Sequence, residues 1–267
     1  MVWSLVVPNQ LKITEKLYKV LMDRVRLCQE NAEKDTQFRK NQKVIDEDLH
    51  RTYSEMNIFR FGNKLYQPLR NVLLAYSLLR PDLGYVQGMS YVAGSLLLHY
   101  GSELETLTIF ANVMNREDML FNFYSFDMDK VNIVFHIFMR MMKEKLPRLH
   151  QIFLETGISC SIFLFEWVVA VYSNIFQLDL SSRIWDSFFY YGDFFILKSA
   201  LAICYCLEAQ ANMLSFENIV LQVKNVKQFI TEEGLFKSLN DIKLTKAQYM
   251  KIKKQTEAQA DSLEKLT

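Results

Sequence analysis

Glycine and proline are scarce in this chain, at 8 and 4 of 267 residues. Average usage would give roughly 19 and 13. A chain so poor in turn residues is a poor candidate for a sandwich or a barrel, whose many tight turns consume both. Collagen-like and Pro/Gly-rich disordered chains are excluded by the same numbers. The few that occur are unevenly placed: Pro81, Gly84, Gly88, Gly94 and Gly101 fall within 21 positions. Half the residues are hydrophobic and 13% are aromatic. That is enough for a substantial core, since a chain near this size buries roughly 75% of its unfolded surface.

Apolar residues recur at helical spacing almost throughout. Leu65, Leu69, Val72, Leu73, Tyr76 and Leu79 form one stripe, with Pro68 near its start, where a helix tolerates it. Val131, Val134, Phe135, Phe138, Met142 and Leu146 form another, with Asp127 as N-cap and Pro147 as the stop. Further helices are predicted over Leu11–Asn31, Gly88–Tyr100, Glu103–Asn115, Leu149–Thr156 and Ile158–Phe176. Leu180–Tyr191, Phe194–Met213 and Lys246–Leu266 complete the set. No run shows sustained strict alternation, and no fixed-period repeat marks a solenoid. Asp35–Val44 is polar and reads as an exposed loop. The expectation is an all-α fold without significant sheet.

Charge and cysteine usage remove several function classes. Formal net charge is +1, and the nearest approach to a basic stripe is Lys251, Lys253 and Lys254, which reads as a solvated helix face. No nucleic-acid partner is expected. Cys28, Cys160, Cys204 and Cys206 show no metal-ligand or redox spacing, and Cys204 and Cys206 should point to different sides of a helix. His50, His99, His136 and His150 form no metal motif. With no Asn-x-Ser/Thr sequon, the chain fits a reducing cytosol. Met1–Val7 is too short and lacks the basic start of a signal peptide. Ile158–Leu178 is the most apolar window, but Glu166, Ser159, Ser161, Ser173 and Asn174 make it a buried helix rather than a membrane span.

Two segments stand apart from packing. In Val44–Thr52, Ile45 and Leu49 are four apart and share a buried side, while Asp48 and Arg51 are three apart and neighbours on a helix. Such pairing can orient an arginine whose planar, permanently charged head suits phosphate recognition. On spacing alone, an ordinary surface ion pair is the reading to prefer. In Pro81–Ser90, Pro81 and Gly84 should end a helix and turn the chain. If Tyr85–Gln87 is extended, Tyr85 and Gln87 face the same way. Gly88 lets another backbone approach, and a glutamine amide can both donate and accept, so it can orient a water. Taken alone, a plain helix-to-helix turn is again the simpler account.

Together these residues carry a resemblance. Ile45-x-x-Asp48-x-x-Arg51-Thr52, followed by Gly84-Tyr85-Val86-Gln87-Gly88-Met89 with Gln87 36 positions after Arg51, resembles the IxxDxxR and YxQ fingerprints of the TBC domain family of Rab GTPase-activating proteins. Trp167 with Phe176, Arg183-Ile184-Trp185-Asp186 with Gly192, and Trp3 resemble its later and earlier landmarks. The match runs from about Val2 to Met213. Ser54 stands where many members have Pro, and Ser90 where Asn is frequent. The arginine of the family's RxxxW motif would lie before Met1, which implies a first helix cut short.

The resemblance implies a single large multi-helix domain over 1–215, with 216–267 as a helical extension packed on it or completing it. It implies a GTPase activator rather than an enzyme with a reaction of its own. Arg51 and Gln87 match the family's catalytic arginine and glutamine fingers. Ile45, Asp48, Thr52, Tyr85 and Gly88 match positions that support the fingers or bind the Rab. The partner would be a GTP-bound Rab, which carries the GTP and Mg²⁺; no cofactor or metal of the chain's own is expected. The protein would be cytoplasmic, peripheral to endomembranes through partners or flanking domains. The competing expectation is a scaffold of the same fold that binds Rabs without accelerating hydrolysis.

Overall fold

The computed structural model describes residues 3–31, 35–116, 119–210 and 215–264. Among these there are fifteen α-helices, one short 3₁₀ turn and no strand. The helix ends predicted at Met213 and Leu266 lie outside the described residues. Contacts divide the chain into two compact units, Met1–Ser125 and Phe126–Thr267.

The first unit holds α1 (Trp3–Val6), α2 (Glu15–Glu30), α3 (Thr36–Arg51), α4 (Tyr66–Leu79), α5 (Met89–Tyr100), α6 (Glu103–Met114) and α7 (Met119–Tyr124). Its centre is α4, which packs against α2, α3, α5 and α6. Leu69, Val72, Leu73, Leu74 and Tyr76 are fully buried, so this helix is enclosed on nearly every side. Each such side chain stabilises the fold by about 1.5–3 kcal/mol relative to leaving it exposed. Trp3 is buried, with its ring 4.5 Å from that of His99.

Two sequence expectations change in this unit. Asp35–Val44 is not a loop: Asp35 caps α3 by accepting the Phe38 N–H at 2.9 Å, and the helix runs on to Arg51. Its inward stripe is Phe38, Asn41, Ile45, Asp48 and Leu49. Two of these five are polar, so the helical period does not show as an apolar pattern. The helix predicted from Leu11 starts at Glu15, where Thr14 accepts the Leu17 N–H at 3.2 Å. Leu11 N–H donates instead to Asn112 Oδ1 at 3.0 Å.

The second unit holds α8 (Met128–Lys145), α9 (Pro147–Thr156), α10 (Ser161–Val169), α11 (Leu178–Tyr191), α12 (Asp193–Gln210), α13 (Phe216–Lys224), α14 (Glu232–Asp241) and α15 (Lys246–Glu264). Asp127 caps α8 as expected, and Pro147 opens α9. Here α12 is the central helix, packed against α8, α10, α11 and α14. Because α12 is packed on several sides, Cys204 and Cys206 are both buried, and Cys206 faces Gly234 and Ser238 of α14. Ile158–Phe176 is not one helix. It is α10 followed by a break in which Val171 and Tyr172 adopt left-handed φ of 44° and 63°. No single described helix is long and apolar enough to cross a membrane. The pair α9 and α10 has the length and composition together but is bent by 118°, and its Leu149, Phe153, Phe163 and Trp167 are buried.

Candidate functional site

In the first unit, the end of α3 and the start of α5 meet. Arg51 is the last residue of α3, where a positive charge is favoured by the helix dipole. The approach to α5 is shaped by a tight turn after α4. The Arg80 carbonyl accepts the N–H groups of Leu83 and Gly84, at 3.1 and 2.8 Å. The Arg80 side chain holds Asp82 and Asn115. Gly84 turns with φ +63°, and a Cβ there would lie 3.0 Å from Asn41 Oδ1. The same Asn41 oxygen accepts the Tyr85 N–H at 3.4 Å. Gly88 then adopts φ +100° at the N-cap of α5. A residue with a Cβ pays for that conformation, which supplies a local reason for glycine here.

These turns gather three donors onto one carboxylate. Asp48 is only 2% exposed. Its Oδ1 accepts from Arg51 Nη2. Its Oδ2 accepts from the Tyr85 hydroxyl at 2.7 Å and from the Gly88 N–H at 3.1 Å. A buried carboxylate is tolerated only with this kind of pairing. Burial, with the Asp48 charge beside it, pushes the Tyr85 phenol well above its ordinary range, so it stays a proton donor. Below the cluster, Thr52 Oγ1 hydrogen-bonds the Asp48 carbonyl oxygen and Ser90 Oγ, each at 2.7 Å. The Tyr91 hydroxyl donates to the Arg51 carbonyl at 2.9 Å.

Above the cluster the two polar heads face solvent. The Arg51 side chain is 50% exposed, and Gln87 is exposed. With the Gln87 amide turned so that its oxygen faces the guanidinium, as the hydrogen-bond network favours, Oε1 accepts from Arg51 Nη1 at 2.9 Å and also from Nη2. The structure thus brings Arg51, Asp48, Tyr85, Gln87 and Gly88 to one place, with Thr52 directly beneath. Ile45 is fully buried and acts through packing, holding α3 in position.

Both heads stand on the exposed surface. A groove of about 820 Å³ runs along the outer side of α3, lined by Arg39, Lys43, Asp46 and His50 among others, and includes neither Arg51 nor Gln87. An open site of this kind suits a macromolecular partner better than an enclosed small substrate. Among the described residues no group of three His, Cys, Asp or Glu side chains is placed to hold a metal.

Sequence reasoning missed Asn41, Ser90 and Tyr91. Asn41 lies seven positions before Asp48, on the same side of α3, and that period was the available signal. Ser90 and Tyr91 directly follow the second fingerprint, but nothing in their spacing tells that they reach back to α3.

The later landmarks of the sequence are packing elements. Trp167, Phe176, Ile184 and Trp185 are buried in the second unit. Trp185 Nε1 donates to Ser173 Oγ at 3.1 Å. Arg183 pairs with Glu232 and lies 4.0 Å over the Phe236 ring.

Comparison with known proteins gives a consistent answer. The Rab-GTPase-TBC domain matches residues 1–211. Mouse TBC1 domain family member 12 is 31% identical over 254 residues, covering 91% of this chain and 36% of its own length. Human TBC1 domain family member 14 is 29% identical, covering 91% and 37%. Drainin of Dictyostelium discoideum is 32% identical over 215 residues, covering 79% and 48%. The chain therefore spans between a third and a half of the length of these curated relatives. Among solved structures, the Chlamydomonas flagellar RabGAP TBC domain superposes with TM-score 0.70 at 20% identity, covering 89% of this chain and 77% of that one. The Ypt/Rab-GAP domain of Gyp1p superposes with TM-score 0.63 at 16% identity, covering 90% and 85%.

Proposed function

Because this chain belongs to the Rab-GTPase-TBC domain family, we propose that it activates GTP hydrolysis by a Rab-family GTPase, completing the GTPase's active site in trans. The observation that carries this reading is the meeting of Arg51 and Gln87. They are 36 positions apart in sequence, yet their exposed heads touch above one buried carboxylate. A GTP-bound Rab hydrolyses slowly because charge developing between the β- and γ-phosphates is poorly stabilised and the attacking water is poorly held. Arg51 entering the nucleotide site neutralises that charge. Gln87 orients the water in place of the GTPase's own glutamine. Asp48 sets the direction of the arginine, and Tyr85 and Gly88 hold Asp48.

In this scheme GTP and Mg²⁺ belong to the Rab, and the activator contributes no nucleophile and passes through no covalent intermediate. It is a regulator rather than an enzyme with its own substrate chemistry. The protein works from the cytoplasm and reaches endomembranes through its partners or flanking domains. The second reading, a scaffold that binds Rabs without accelerating them, has the same fold in its favour; the presence of both fingers weighs against it.

The test is GTP hydrolysis by a panel of Rabs with catalytic amounts of wild type, Arg51→Ala and Gln87→Ala. Multiple turnover by wild type, lost in both variants, is the expected result. Binding without turnover selects the scaffold. Either variant stimulating as well as wild type ends the two-finger mechanism.

A further inference from the structure

The two fingers sit on different elements, and their direct contact is between exposed side chains that an incoming partner must exchange. Something beneath has to keep the end of α3 and the start of α5 in register while that happens. Effective catalysis by positioned groups tolerates little error; a displacement of about 1 Å can cost about a hundredfold.

Ser90 sits at this junction. It lies in the first turn of α5 and is fully buried. Its hydroxyl pairs with Thr52 Oγ1 at 2.7 Å, one residue beyond Arg51. A threonine hydroxyl has a single proton, so when Thr52 donates to the Asp48 carbonyl, Ser90 supplies the proton between the two hydroxyls. The turn that holds Ser90 is capped by Gly88, whose N–H donates to Asp48 at 3.1 Å. Ser90 therefore links the residue after Arg51 to the first turn of α5, which begins two residues after Gln87. Its neighbour Tyr91 pins the Arg51 carbonyl at 2.9 Å. That carbonyl is one of the last four of α3, which no later turn of the helix can satisfy.

We infer that Ser90 is a positioning residue for both fingers, with Tyr91 as its auxiliary, and that the Thr52–Ser90 hydroxyl pair fixes the spacing between Arg51 and Gln87. This rests on the activator reading above. Ser90 touches neither nucleotide nor water; it acts through the backbone ends that carry the two heads.

The test is a double-mutant cycle of Ser90→Ala and Thr52→Val, read as kcat and KM of Rab-GTP hydrolysis, together with hydrogen exchange of the Gly88 amide in the free protein. Each single variant is expected to lower kcat about tenfold or more, with KM nearly unchanged. The double variant should fall no further than the singles, and Ser90→Thr, which keeps the hydroxyl, should recover most of the loss. Gly88 exchange should rise several-fold in Ser90→Ala while the most protected core amides of α4 keep their rates. A variant that only lowers the melting temperature, with wild-type kcat per folded molecule and wild-type Gly88 exchange, overturns the inference. If wild type stimulates no Rab, the activator reading fails by itself. Gly88 exchange then decides whether the tie exists: raised exchange supports it, unchanged exchange ends it.

Discussion

The polar cluster around Asp48 and the aromatic core around Trp167 both carry recognisable stretches of family sequence, and they use them for different ends. Around Asp48, a buried charge is surrounded by donors while the heads of Arg51 and Gln87 stand in solvent. Around Trp167, rings fill space: Phe163 lies 4.5 Å away and Tyr172 6.3 Å away, and all three are essentially inaccessible. In the first region the fingerprint residues Arg51 and Gln87 present polar heads to solvent. In the second, Trp167 and Phe176 fill volume. The two regions should therefore respond oppositely to substitution, one in rate and the other in stability.

The largest effect expected is on rate. Arg51→Ala should remove about 10³–10⁵ of stimulated hydrolysis, the range that arginine fingers contribute in GTPase activators. Its folded stability should fall only in part, because Asp48 loses its charged partner but keeps the Tyr85 hydroxyl and the Gly88 N–H. Arg51→Lys should be nearly as inactive, because an ammonium lacks the planar fork. A stopped rate accompanied by a collapsed melting temperature would place Arg51 with the packing residues and erase the distinction.

Next is the mirror experiment. Trp167→Ala should destabilise the protein by about 3–5 kcal/mol, a large share of the roughly 5–15 kcal/mol that holds a typical domain together. Rate per folded molecule, measured at low temperature, should stay near wild type. A selective loss of rate without loss of stability would show that the aromatic core is coupled to the fingers.

How legible these regions were in the sequence follows from the same contrast. Helical packing in α4 and α8 was readable because nearly every inward position is apolar and the period is unbroken. The first half of α3 was not, because Asn41 takes an inward position that a hydrophobic pattern leaves blank. The break after α10 was hidden for another reason. Val171 and Tyr172 adopt a left-handed backbone that costs roughly 1–2 kcal/mol per residue, and nothing in a run of apolar residues announces it. At the site, spacing alone favoured an ion pair and a plain turn, and it was the resemblance to the two TBC fingerprints that pointed to Arg51, Asp48, Tyr85 and Gln87. The partners added by tertiary structure, Asn41, Ser90 and Tyr91, have no signature because their contacts depend on how α3 and α5 meet.

A smaller and more discriminating effect comes from two glycines. Gly88 and Gly157 both adopt left-handed φ, at +100° and +67°, one beside Arg51 and Gln87 and one in the second unit. Alanine at either should cost about 1–2 kcal/mol from backbone strain, read as a lower urea midpoint at unchanged slope. Open space surrounds the Gly157 position, so strain is the whole cost there. Only Gly88→Ala should also lower stimulated hydrolysis, because its N–H donates to Asp48. Equal rates for the two variants would remove Gly88 from the site.

The finest test uses two buried phenols. Tyr85 donates to Asp48 at 2.7 Å, and Tyr172 donates to the Ile196 carbonyl at 2.5 Å. Burial raises both well above the ordinary value of 10.0. A raised value means that the folded protein keeps a proton that the unfolded chain releases. The associated stability is therefore fully present below about pH 10 and is lost as pH climbs from there toward the folded value. Each phenol should add up to about 1.4 kcal/mol per pH unit to that alkaline decline. Tyr85→Phe and Tyr172→Phe should flatten it by similar amounts, measured by urea unfolding between about pH 9 and pH 11. At neutral pH the two variants should part. Tyr172→Phe should leave stimulated hydrolysis unchanged, whereas Tyr85→Phe, which takes one of three donors from the carboxylate paired with Arg51, should lower it. If Tyr85→Phe also keeps the full wild-type rate, then the Tyr85 hydroxyl serves only to satisfy a buried charge. The aiming of Arg51 would then rest on Gly88 and the Thr52–Ser90 tie alone.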